Sequence, residues 1–160
     1  MKKRALFDLH HYPTLAALLG ITLGTLLFLI LPRNTALLPI PTLDAGIFAS
    51  LMRGFYKEGL PLFLALILYH LTKQKGAILF AVGWRALLFS LSTLQTASLA
   101  SLSITAVYLL LHTAILLAHI AAGIALLTKN KTTGYFPFLY FMGLILLLTV
   151  IRLLTFTLLL

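Results

Sequence analysis

The stretch ASLASLSITAVYLLLHTAILLAHIAAGIALLT, Ala97 to Thr128, runs for 32 residues without an Asp, Glu, Lys or Arg and stops at Lys129-Asn130-Lys131. About 20 apolar helical residues cross the hydrocarbon of a bilayer, so this run reads as a membrane span. Within it Ser98, Ser101, Thr105, Tyr108, His112 and His119 recur at spacings of three, four or seven. That spacing aligns them on one face of a helix, and a polar face is expected to turn away from lipid.

The rest of the chain has the same character. Its 160 residues are 61% hydrophobic and 9% charged, far below the roughly 25% charge of a soluble domain. Five spans of about 20 residues would take roughly 100 of them, which leaves loops and no separate soluble domain. The expected fold is an all-α polytopic bundle forming one integral membrane domain over residues 1–160. Its spans are expected at about 14–32, 54–72, 77–95, 102–128 and 135–158.

The formal charge of +9 comes from twelve Lys and Arg against Asp8, Asp44 and Glu58. In a soluble chain that excess would suggest nucleic acid. Here the basic residues stand at the ends of apolar runs, where they orient loops and meet anionic headgroups. The expected partners are membrane lipids and other membrane subunits or a second copy, not nucleic acid. With no cysteine, disulfides, thiolate metal sites and a thiol nucleophile are excluded.

Lys2, Lys3 and Arg4 precede the apolar run Thr14 to Leu31, and Pro32-Arg33-Asn34 stands where a signal peptide would carry small residues. An uncleaved first span follows. Ala16, Gly20 and Gly24 lie four apart on it, a spacing that lets two helix backbones approach closely and marks a docking face. Ala36 to Met52 is apolar but interrupted by Pro39, Pro41 and Asp44.

Charge decides that stretch. If it stays outside the hydrocarbon, Lys2, Lys3, Arg4, Lys73, Lys75, Lys129 and Lys131 share one side, against Arg33, Arg53 and Lys57 on the other. If it crosses, the basic residues divide evenly and the positive-inside bias vanishes. The reading is therefore five spans, amino terminus inside and carboxyl terminus outside, in what is expected to be a bacterial cytoplasmic membrane. An outer interfacial helix is expected at about 44–57, with Ile47, Phe48, Leu51 and Phe55 at helical spacing and Arg53 and Lys57 near headgroups. Tyr12, Tyr69, Tyr135 and Tyr140 then fall at the inner boundary, as an aromatic belt does. Arg152, roughly 25 Å along the last span, is expected to snorkel to the outer headgroups.

Among candidate site residues Arg85 comes first, since an intramembrane arginine must be paired or functional. Ser92 and Gln95 share its face, and Glu58 lies within about 8 Å of its depth. Two readings follow: an anion or headgroup site lined by Arg85, Ser92 and Gln95, or a buried Glu58–Arg85 ion pair that fixes helix register. His112 and His119 are two turns, roughly 10 Å, apart, too far to hold one metal ion together. Each is a possible axial haem ligand with His70 on a neighbouring helix as the second; hydrogen bonding between helices is the other use.

The carboxylates are expected at the helix ends. That leaves Arg85, Gln95, Tyr108, His112 and His119 as a polar path suited to an anion or neutral solute. No Gly-x-Ser-x-Gly, His-Glu-x-x-His or P-loop motif is present, and no enzyme activity is expected. Asn130-Lys131-Thr132 matches the glycosylation pattern by chance, in an inner turn. The expected function is a noncatalytic membrane subunit or adaptor acting through helix–helix contacts, with no cofactor. The alternatives are a small transporter or channel subunit lined by Arg85 and the His112/His119 stripe, and a b-haem-binding membrane anchor.

Overall fold

The computed structural model describes residues 2–31, 47–99, 101–128 and 135–159. They form six helices: α1 (Lys2–Ile30), α2 (Ile47–Glu58), α3 (Leu60–Thr72), α4 (Gly76–Leu99), α5 (Leu102–Leu127) and α6 (Phe136–Leu159). There is no strand among the described residues. In α1, α4, α5 and α6 the apolar stretches His11–Ile30, Gly76–Ser98, Leu102–Leu127 and Phe136–Thr155 are each long enough to cross a membrane, the pattern of a multi-pass membrane protein. α3 is as apolar but has only 13 residues.

Several boundaries differ from the sequence expectation. α1 begins at Lys2 and continues through Pro13, because membrane helices tolerate one missing backbone bond when neighbours pack over it. The run Ala97 to Thr128 is divided, since α4 continues to Leu99 and Ser101 is extended (φ −64°, ψ 159°) as the N-cap of α5. Ser98 therefore belongs to α4. It and Ser101 are exposed, whereas Tyr108, His112 and His119 are buried. The expected single polar face holds only for the inner part of α5.

The expected second span is two helices separated at Gly59, with Phe63 N–H donating to the Gly59 carbonyl at 3.2 Å across the junction. Pro61 falls in the first turn of α3, where its missing N–H costs nothing. Residues 32–46 and 129–134, which include Arg33, Pro39, Pro41, Asp44 and the Asn130-Lys131-Thr132 pattern, lie outside the described residues.

α3 and α4 form a tight antiparallel hairpin. Lys73 caps α3 in the left-handed conformation (φ 57°), its N–H donating to the Tyr69 carbonyl at 2.8 Å, the geometry that satisfies a helix's last carbonyls. At the same end Tyr135 OH is hydrogen-bonded to His70, joining α3 to the start of α6.

The larger core lies among α3 to α6, with Leu62, Ala65, Ile78, Ile115, Ala122, Phe138 and Ile145 buried together. A second cluster of Ala17, Val82, Ala86 and Leu116 fastens α1 to α4 and α5. Hydroxyls on lipid-facing positions are satisfied within their own helices: Thr22 Oγ1 donates to the Leu18 carbonyl at 2.9 Å and Thr155 Oγ1 to that of Ile151 at 2.8 Å. Such back-bonding lets threonine face hydrocarbon without an open donor.

α1 and α4 run parallel. Gly20 meets Gly83 and Ala86, and one turn further on Gly24 meets Leu87 and Ser90. A Cβ added to Gly20 would fall on the Gly83 carbonyl oxygen, and one at Gly24 would lie 2.6 Å from that of Leu87. Since the obstruction is backbone, the helices themselves would have to part. A hydrogen bond of 2.8 Å between Thr25 Oγ1 and Ser90 Oγ closes the outer end of this seam.

Gly20→Ala is expected to destabilise the protein by roughly 1–3 kcal/mol, the usual cost of overpacking a tight contact. Gly143→Ala, where an added Cβ meets nothing within 4 Å, should change stability by less than about 0.5 kcal/mol. Thermal unfolding in detergent followed by circular dichroism separates the two; equal effects would mean that the α1–α4 seam is not close-packed.

Candidate functional site

Glu58 is the last residue of α2, and its side chain points into the bundle with only 3% of the residue exposed. Its two carboxylate oxygens are divided between two arginines. Arg85 Nε of α4 lies 2.6 Å from Oε2, and Arg152 Nη1 of α6 lies 3.0 Å from Oε1. The first is a charge contact whose angle falls outside that of a hydrogen bond.

His112 of α5 completes the arrangement. Arg152 Nη1 donates to His112 Nδ1 at 2.8 Å, so Nδ1 carries a lone pair and the ring proton sits on Nε2. From there it donates to Ser92 Oγ at 3.0 Å, and that hydroxyl donates to the Phe89 carbonyl at 3.1 Å. Arg85 Nη2 stands 3.3 Å from the same Nε2, a contact between two donors in this tautomer, so Arg85 is held in the centre by Glu58 and not by His112. The rings of Phe89 and Tyr108 lie nearly parallel to the imidazole, 5.6 and 4.6 Å away between centres.

Depth along the helices places this centre within the bundle. Arg85 is nine residues from Gly76, about 14 Å at 1.5 Å per residue. His112 is fifteen residues from Leu127 and Arg152 sixteen from Phe136, about 22 and 24 Å. Against a hydrocarbon thickness of about 30 Å, all three lie inside. An ion pair there persists only because both charges are held by partners, since desolvation costs several kcal/mol per ion.

Sequence reasoning named Glu58 as a possible ion-pair partner of Arg85, a pair the structure contains, but left the carboxylates, at helix ends, out of the polar path. The structure corrects this: the end of α2 is itself buried, and Glu58 is the hub of the path. Arg152 is also corrected. It does not reach the headgroups but is buried, 7% exposed, on the same face as Phe138, Met142, Ile145 and Thr149. The Thr149-x-x-Arg152 spacing repeated the Arg85/Ser92 logic and was the available signal.

Of the other candidates, Ser92 and Tyr108 touch His112, and Gln95 is buried one turn beyond Ser92. His119 stands apart. Its Nδ1 lies 2.8 Å from the Ile115 carbonyl and its Nε2 2.8 Å from the Glu58 carbonyl. It thus meets one of the last carbonyls of α2, which has no partner within that helix. Ligating haem iron through His112 or His119 would break these contacts, since both nitrogens of each ring are engaged. Among the described residues no group of three or more His, Asp or Glu is arranged to hold a metal ion. The Ala16/Gly20/Gly24 face is covered by this chain's own α4. No family model, curated protein or solved structure matches the chain.

Glu58→Gln leaves two buried guanidiniums without their shared carboxylate, and the expected cost is about 3–5 kcal/mol. In Glu58→Gln/Arg152→Met the loss should fall short of the sum of the single losses by about 0.5–3 kcal/mol, as for groups in one network. Reversible denaturation of the three variants measures this coupling. Strict additivity would show that the contacts do not act as a unit.

Proposed function

We propose that the chain is a noncatalytic five-span membrane protein of the transport class, a small transporter or channel subunit that receives an anionic solute at the Glu58/Arg85/His112/Arg152 centre. One observation carries this reading: among the described residues the centre holds two guanidiniums against one carboxylate. An uncompensated positive charge in hydrocarbon is expensive, and a bound anion removes that expense. The noncatalytic subunit or adaptor is the other reading; the small-residue face of α1 and the buried polar residues of α4 and α5 are engaged inside this chain, which favours the transport reading.

The proposed topology rests on helix direction. α1 is parallel to α4, and α3 is antiparallel to α4, so α1 and α3 run in opposite directions, as successive passages do. With α2 and α3 as the second passage, the order is α1 outward, α3 inward, α4 outward, α5 inward and α6 outward. Lys2, Lys3, Arg4, Lys73 and Lys75 then fall at one end, which the positive-inside rule assigns to the cytoplasm. α2, with Lys57 exposed near its end, lies toward the outer face, and the membrane is a cytoplasmic one.

The absence of native cysteine makes the topology directly testable. Single cysteines replacing Lys73 and Lys129 should be blocked only by a permeant maleimide, and one replacing Lys57 also by an impermeant reagent added outside intact cells. Lys73 and Lys129 on opposite sides would refute the arrangement.

For the function, purified protein in liposomes is expected to bind or exchange at least one of chloride, inorganic phosphate, sulfate, acetate or glutamate above protein-free vesicles. Arg85→Gln should lower that signal by about tenfold or more, because it removes the excess positive charge that attracts the anion. No signal from the whole panel would refute anion handling.

A further inference from the structure

Arg152 makes both of its contacts in the centre through one nitrogen. Nη1 serves Glu58 Oε1 at 3.0 Å and His112 Nδ1 at 2.8 Å, while the buried Nε has no hydrogen-bond partner. Nε and Nη2 point along the same edge of a guanidinium, the side-on edge that grips two oxygens at once. Of that edge, Nε is buried without a hydrogen-bond partner among the described residues. Arg85 differs, because its Nε, though also without a hydrogen bond, lies in a charge contact 2.6 Å from Glu58 Oε2. A buried, unpaired N–H is costly and rare, and here it belongs to the guanidinium that brings the excess charge.

We propose that the Nε/Nη2 edge of Arg152 is the anion-contacting element of the centre, and that its ligand is a monoanionic carboxylate. This rests on the anion-handling reading above and specifies the residue and the chemistry. A carboxylate supplies two coplanar oxygens at the spacing of the guanidinium edge. Its single negative charge balances the one excess positive charge, which a dianion would overshoot. Phe89 and Tyr108 stack near the His112 ring, so the centre has aromatic surroundings that favour an organic anion over a hydrated inorganic one. Arg85 then acts as a positioning residue, holding Glu58 so that Glu58 does not swing onto that edge of Arg152.

The test uses the full chain in lipid nanodiscs with acetate, inorganic phosphate and chloride as probes, read by calorimetric titration. Acetate is expected to bind more tightly than phosphate or chloride. Arg152→Lys keeps the charge and one donor but removes the two-pronged edge, and should weaken acetate binding by at least about tenfold while the circular dichroism melt stays cooperative. In wild-type protein labelled with nitrogen-15 at arginine, acetate should shift one solvent-protected Nε–H resonance of the five arginines. That resonance should persist in Arg85→Lys, which keeps the assignment testable if Arg152→Lys fails to fold.

Unchanged acetate affinity in Arg152→Lys, chloride binding as tight as acetate, or loss of the responsive resonance in Arg85→Lys would each overturn the assignment while leaving anion handling intact. Tighter acetate binding in Asp44→Asn would make the chain's own carboxylate the occupant of the edge and would overturn it too. Failure of every probe to bind would defeat both this inference and the reading beneath it.

Discussion

The constraint on which the rest of this structure depends is that a carboxylate cannot stay charged in hydrocarbon without cations held against it. Glu58 solves this by engaging two arginines from two different helices, one on each oxygen, and the second of those arginines draws in a histidine from a third. One side chain thereby fixes the mutual register of α2, α4, α5 and α6. Apolar packing alone would not do so, because Leu and Ile against lipid are nearly as well placed as Leu and Ile against each other. The many leucines of α5 and α6 fill space, while the polar centre specifies which turns face inward.

The two ways of joining helices in this chain are different in kind. α1 is attached to α4 by backbone approach at Gly20, Gly24 and Gly83, which works only because no side chain intervenes. α2, α4, α5 and α6 meet at polar side chains around Glu58, and α3 joins them through the apolar core. A small-residue seam is short-ranged and stiff, whereas an arginine contact keeps rotameric freedom in its partners. In a bundle built this way, α1 and α4 are held together at backbone distance, and the polar contacts are made elsewhere.

Much of the architecture was legible in composition and periodicity. Long uncharged runs report hydrocarbon directly, so the four long spans followed from residue type alone, and the depth of Glu58 along its helix was enough to pair it with Arg85. The inner part of the α5 polar face was also legible, because Tyr108, His112 and His119 repeat at helical spacing. Other features were hidden for physical reasons. Arg152 stands near the end of an apolar helix, where a snorkelling arginine and a buried one have the same sequence signature; only the partner on another helix tells them apart. The break at Gly59 was masked because a glycine followed by Leu60-Pro61 suits both a bend within a span and the start of a new one. Ser98 and Ser101 joined the expected polar face only because the boundary between α4 and α5 falls inside an unbroken run of apolar and hydroxyl residues.

The position of Glu58 at the end of α2 gives the centre a further property. A helix terminus carries about half an elementary negative charge on its unpaired carbonyls, and the Glu58 carbonyl belongs to that terminus. His119 meets that carbonyl through Nε2 at 2.8 Å, and its Nδ1 lies 2.8 Å from the Ile115 carbonyl. The backbone carbonyl is thus met by one histidine and the carboxylate by two arginines, the second of which donates to the other histidine. Two histidines seven residues apart on α5 do separate work, one at the peptide group and one at the guanidinium.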